Sequence, residues 1–99
     1  MSKKKAVHIF IVGKVQGVSY RWWFQKEANK MNLSGWVRNR TSNRVEAELF
    51  GYENDIEEMI KKCKLGPPSA NVEDIIVNQL NDSKNIEEND DGIKILESI

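Results

Sequence analysis

Residues 6 to 24 read AVHIFIVGKVQGVSYRWWF, and two structural periods meet inside them. Ala6 to Val12 is an apolar run rich in β-branched residues that stops at Gly13, the composition of a buried central strand. From Tyr20 onward the apolar residues Tyr20, Phe24, Ala28 and Met31 fall in steps of four, four and three, which mark one face of a helix. Between them lies only the stretch from Lys14 to Ser19. A buried strand that passes to a helix through a short loop with two glycines is the first unit of the fold.

Working outward from that unit, Asn32, Ser34 and Gly35 end the helix, and Trp36 and Val37 begin a second extended segment running to Arg40. Thr41 to Arg44 form a turn in which Asn43 suits a left-handed position. Val45, Ala47 and Leu49 then alternate with Glu46, Glu48 and Phe50 before Gly51, so strands two and three make a hairpin with one buried face. Asn54, with Glu57 three residues later, resembles a capping box and opens a second helix. Ile56, Met59, Ile60 and Cys63 share one face of that helix, and Gly66-Pro67-Pro68 stops it. Val72 to Val77 supply a fourth strand, Asn81 to Asp91 an exposed acidic loop, and Ile93 and Ile95 a short last strand. The order β-α-β-β-α-β predicts an α+β, ferredoxin-like split βαβ sandwich, an antiparallel sheet with two helices on one face. The 99 residues suffice for a single domain, with residues 1–5 as a mobile basic tail.

Composition narrows the setting. With 39% hydrophobic and 30% charged residues, the chain matches neither disorder nor a membrane-embedded protein. A single cysteine excludes an internal disulfide framework, and no stretch approaches the roughly 20 apolar residues of a membrane span. The apolar run after the basic start lacks the cleavage site of a signal peptide, so a cytoplasmic protein is expected. His8 and Cys63 are the only histidine and cysteine. Neither has sequence neighbours for a metal site or a His-Cys pair, and both are expected to be structural. The zero net charge hides an asymmetry: up to Arg44 there are ten Lys or Arg against Glu27 alone, and beyond it 14 acids against five bases. A positive face of this kind suits an anionic ligand or a nucleic acid.

The loop from Gly13 to Arg21 has the means to hold an anion. Glycines at 13 and 17 permit a tight turn that faces backbone N–H groups inward, and the helix amino end adds partial positive charge. Arg21 presents a guanidinium fork matched to two phosphate oxygens. The spacing alone is equally compatible with a plain strand-to-helix connection.

Ile11-Val12-Gly13-Lys14-Val15-Gln16-Gly17-Val18-Ser19-Tyr20-Arg21 resembles the first signature of the acylphosphatase family. Gly35-Trp36-Val37-Arg38-Asn39, followed by Val45 and Gly51, resembles the second, and the likeness continues through Gly66-Pro67-Pro68-Ser69-Ala70 to Val72. The resemblance implies the ferredoxin-like fold and hydrolysis of the carboxyl-phosphate bond of small acyl phosphates to a carboxylate and inorganic phosphate. It implies that Val15, Gln16, Gly17, Val18, Ser19 and Tyr20 bind phosphate through the backbone. Arg21 would bind the phosphoryl oxygens, and Asn39 would orient the attacking water. Tyr20 stands where the family usually has Phe or Met, Asn43 where it has Gly, and Ile93 where it has an aromatic residue. An inward Tyr20 hydroxyl needs a partner.

These groups suffice chemically, because a leaving carboxylate with a conjugate-acid pKa of about 4 needs no general acid. The loose transition state of phosphoryl transfer asks mainly for positioning and electrostatic stabilisation. No metal, cofactor or covalent intermediate is expected. The expected partners are an acyl phosphate and inorganic phosphate as product or inhibitor, with no nucleic acid, no membrane and a monomeric state. For the adjacent Trp22 and Trp23 ordinary packing is expected, the alternative being that one is buried and the other lies near the loop mouth in reach of the acyl part of a substrate. The alternative function is a non-catalytic anion or single-stranded RNA binding module, with Phe10 and Phe50 on the open sheet face.

Overall fold

Along the first strand Val7, Ile9 and Ile11 are fully buried while His8 and Phe10 between them are half-buried, so one face of the sheet carries the core. The computed structural model describes residues 3–17, 19–41, 43–80 and 92–99. Its elements are β1 (Lys4–Lys14), α1 (Tyr20–Lys30), β2 (Ser34–Arg40), β3 (Arg44–Tyr52), α2 (Glu53–Leu65), β4 (Asn71–Leu80) and β5 (Ile93–Ile95). The sheet order is β4-β1-β3-β2-β5. Val7, Ile9 and Ile11 meet Val37, Val45, Ala47 and Leu49 beneath Phe24 and Ala28 of α1 and Ile56, Met59 and Cys63 of α2, all in one core cluster. Both helices therefore cover the same face. The stripes at Tyr20, Phe24 and Ala28 and at Ile56, Met59 and Cys63 point inward.

Four features correct the sequence expectations. The sheet is mixed, not purely antiparallel, because β5 pairs with β2 in parallel, Gly35 opposite Ile93 and Val37 opposite Ile95. β4 and β5 lie at opposite edges of the sheet, and such a crossing frees β5 from the antiparallel sense a hairpin imposes. β1 begins at Lys4, with Lys4 opposite Tyr52 and Lys5 opposite Gly51, so these two lysines belong to the strand instead of a mobile tail. α2 begins at Glu53 with Tyr52 as its cap, which places Asn54 inside the first turn; Glu53 and Asp55 there supply negative charge for the helix dipole. Met31 caps the end of α1 and is only half-buried. The expected acidic loop at 81–91 lies outside the described residues, as does Ser42 of the turn. Asn43 does adopt a left-handed conformation, φ 55°.

The helix-free face is polar but organised. The Glu46 side chain is 9% exposed and receives His8 Nε2 at 2.7 Å, Arg38 Nε at 3.1 Å and Arg40 Nη1 at 3.3 Å. Burial alone would raise its pKa, but the hydrogen bonds from His8 and Arg38 outweigh that and hold the carboxyl below its usual value. His8 is thus structural, as expected of a strand residue.

Between the helices the Tyr20 hydroxyl donates to the Cys63 carbonyl at 2.7 Å, which provides the partner that an inward tyrosine requires. Burial raises the Tyr20 pKa and pushes the Cys63 thiol up to about 12, so Cys63 is an inert core residue. Tyr20→Phe is expected to lower stability by about 1 kcal/mol in urea unfolding, because it leaves the Cys63 carbonyl without this donor. The depressed Glu46 pKa contributes stability that is present above the unfolded value near 4.3 and is lost as pH falls through the folded value. The urea midpoint should therefore fall on acidification below about pH 4.5. Glu46→Gln should lower the midpoint at pH 7 and flatten that acid dependence.

Candidate active site

Ile11 of β1 and Asn39 of β2 are both register partners of Val45 on the intervening β3. Two strand spacings, about 10 Å, therefore separate them at one end of the sheet. The loop leaving β1 has to cross the end of β3 to reach Asn39. The crossing starts at a register shift between Val12 and Gly13. Gly13 has φ 134°, and a Cβ there would lie 2.3 Å from the Asn71 carbonyl oxygen, so no other residue fits without displacing β4. Gly17 and Ser19 are left-handed, φ 72° and 63°. Left-handed residues in a turn just before a helix turn successive N–H groups toward one centre.

The amino end of α1 is open to an anion in a way that α2 is not. Its first turn contains no acidic residue, and the Ser19 side chain makes no capping hydrogen bond. The N–H groups at its start thus have no partner within the helix. Arg21 projects from this turn. Arg38 and Arg40 bind Glu46, and Arg44 lies over the Phe10 ring, whereas Arg21 makes no ion pair or hydrogen bond with the described residues. Asn39 is on the helix side of β2, two residues after the buried Val37. Its side-chain oxygen Oδ1 is buried without a hydrogen-bond partner among the described residues.

Both residues line one cavity of about 450 Å³ together with Val15, Gly17, Ser19 and Tyr20. Six of the eight residues expected at the site are thus brought together. Val18 lies outside the described residues. The Gln16 side chain turns away: Nε2 donates to the carbonyl oxygens of Arg40 and, at 3.0 Å, Arg44. Tyr20 is 1% exposed, with its hydroxyl held by Cys63, so only its backbone is available to a ligand.

A loop with left-handed residues, an arginine and an amide oxygen, the last two without partners among the described residues, lie on one cavity at the positions of the two sequence signatures, and the acylphosphatase family model matches residues 7–91. The chain belongs to the acylphosphatase family. It is 45% identical over 71 residues to an acylphosphatase of Trichormus variabilis, covering 72% of this chain and 70% of that one. The crystal structure of acylphosphatase from Bacillus subtilis superposes with TM-score 0.84 at 33% identity, covering 95% and 99% of the two chains. Full-length HypF in its phosphate- and nucleotide-bound form is also similar, with TM-score 0.82 and 33% identity. It matches 99% of this chain but only 12% of its own length.

The departures from the family pattern are accommodated. Tyr20 is bonded, Asn43 is left-handed, and Ile93 is fully buried. Two α1 side chains grip Ile93: Asn29 Oδ1 accepts from its N–H at 2.9 Å, and Gln25 Nε2 donates to its carbonyl at 2.8 Å.

Sequence reading missed the far end of the chain. Ile95 lines the cavity beside Trp22, and beyond β5 the N–H groups of Leu96 and Ile99 donate to the carbonyls of Val37 and Asn39 at 2.9 and 3.1 Å. The backbone of Asn39 is therefore held from the outer side of β2. The alternation of Ile93 and Ile95 was the only signal available for it. The Gln16 latch joins the loop after β1 to the hairpin next to Asn39. Gln16→Ala is expected to weaken competitive inhibition by inorganic phosphate several-fold, and to cost about 1 kcal/mol of stability in urea unfolding for each bond lost.

Proposed function

We propose that the protein hydrolyses small acyl phosphates by direct attack of water on phosphorus. The phosphoryl oxygens rest on the loop amides, the amino end of α1 and the Arg21 guanidinium. The Asn39 Oδ1 carbonyl accepts a hydrogen bond from water and holds it in line with the phosphorus. The water oxygen bonds to phosphorus, the bond from phosphorus to the carboxyl oxygen breaks, and its electron pair leaves on the carboxylate. The proton lost by water passes to phosphate or solvent. Charge on the peripheral oxygens meets donors that are already oriented.

The observation that carries this reading is that the guanidinium of Arg21, without an ion pair among the described residues, and the buried Oδ1 of Asn39, without a hydrogen-bond partner among them, line one cavity. Both acquire partners when phosphate and water arrive. The nucleic-acid alternative needs open aromatic rings on the helix-free face. There Arg44 lies 5.0 Å over Phe10, and Phe50, only 9% exposed, lies under Lys4 at 5.9 Å. Rings covered by the protein's own cations offer bases no stacking surface, which supports a protein without a nucleic-acid partner. No helix among the described residues is long and apolar enough to cross a membrane. A single-domain monomer in the cytoplasm is the setting we propose.

Hydrolysis of benzoyl phosphate, followed by ultraviolet absorbance, tests the roles. Arg21→Gln should lower kcat/KM by roughly 100- to 1,000-fold and abolish inhibition by inorganic phosphate. Asn39→Ala should lower kcat by about 100-fold with phosphate inhibition nearly intact. Equal loss of phosphate affinity in both variants would refute the division of roles. A folded wild-type protein without turnover would refute the reaction.

A further inference from the structure

The cavity of about 450 Å³ lies within the range of pockets that hold whole small organic ligands, roughly 300 to 1,000 Å³, and a phosphoryl group alone leaves part of it empty. Beyond the phosphate loop, Arg21 and Asn39, its remaining lining is Trp22 and Ile95. Both are large, apolar and exposed, Trp22 by 59% and Ile95 by 41%, and neither belongs to a core cluster. The adjacent Trp23 packs inward against Tyr20, ring centroids 5.2 Å apart. Trp22 does no comparable packing work for the fold. Its indole is held on one side by Lys26, whose Nζ lies 5.0 Å from the ring centroid, one helical turn along α1. A single exposed apolar side chain would require no explanation. Here two of them, 73 residues apart in the chain, line one cavity with Arg21 and Asn39.

We propose that Trp22 and Ile95 form the subsite for the acyl group, and that the preferred substrates are acyl phosphates with a flat aromatic acyl part. The proposal rests on the acyl-phosphate reading above and specifies the substrate class for the same site. Arg21 and Trp22 line the same cavity, so a phosphoryl group on the guanidinium leaves the indole within reach of the attached acyl group. An aromatic ring gains offset or edge-to-face contact there, and the exposed indole loses water. An acetyl or carbamoyl group is too small to cover the ring and gains little. Trp22 acts as a specificity-determining residue, while Arg21 and the loop retain the phosphoryl end.

The test is the ratio of kcat/KM for benzoyl phosphate to that for acetyl phosphate, in which loop and Arg21 effects cancel. Trp22→Ala should lower the ratio about fivefold relative to wild type, and Trp22→Phe, which keeps an aromatic face, should restore most of it. Inhibition by inorganic phosphate, which does not extend to Trp22, should shift less than twofold in either variant. Ile95→Ala should lower the ratio in the same direction. An unchanged ratio in Trp22→Ala overturns the subsite. So does an equal loss on both substrates with weakened phosphate inhibition, which would make Trp22 a support for the loop. Wild-type protein that hydrolyses neither substrate removes the acyl-phosphate reading itself, whereas wild-type turnover with an unchanged ratio removes only the subsite.

Discussion

The pairing of β1 with β3 is the constraint on which the site depends. β1 is flanked on both edges, by β3 and β4, and its register against β3 ends with Val12 opposite Arg44. The same Arg44 closes the β2–β3 hairpin opposite Arg40, so the exit of β1 and the Asn39 end of β2 share one edge of the sheet. A slip of one residue in β1 would exchange Ile9 and Ile11 for His8 and Phe10 on the core face. The burial of Val7, Ile9 and Ile11 thus fixes where the phosphate loop begins.

How much of this the sequence disclosed depends on whether the signal was local. The βα unit, the two helical stripes and the left-handed Asn43 follow from spacing within a few residues. Asn39 was legible through its place in the second signature and not through periodicity, because Ser34–Arg40 shows no regular alternation of burial. The partners of these elements were less legible. The parallel pairing of β5 requires knowledge of which sheet edge is free. The bond from Tyr20 to Cys63 and the bonds of Gln16 to the hairpin span 24 to 43 residues, and no spacing rule reports contacts at that separation. The start of α2 was misplaced by two residues because Asn54 is a good capping residue, whereas Tyr52 holds the cap position.

The charge asymmetry resolves into individual partnerships. Glu46, from the acidic part of the sequence, collects Arg38 and Arg40 on the open face, and Glu27, the acid of the basic part, accepts Lys30 and Lys62 at 3.2 Å each. The hydrogen bond from Lys62 is the main reason that Glu27 titrates below its usual value. Such pairing neutralises cations away from the loop and, among the described residues, leaves Arg21 without an ion pair. What distinguishes the site is which arginine has no ion pair among the described residues, and not the total of positive charge.

The walls of the cavity are drawn from the loop after β1, from the first turn of α1, from β2 and from β5, and the residues just past β5 brace the strand that carries Asn39. A chain in which β1, β2 and β3 have paired but β5 is still undocked would possess its anion cradle without the brace or the Ile95 wall. Undocking of this three-residue strand would therefore take away the Ile95 wall and the two bonds that brace β2 while the β1–β3 pairing stayed whole.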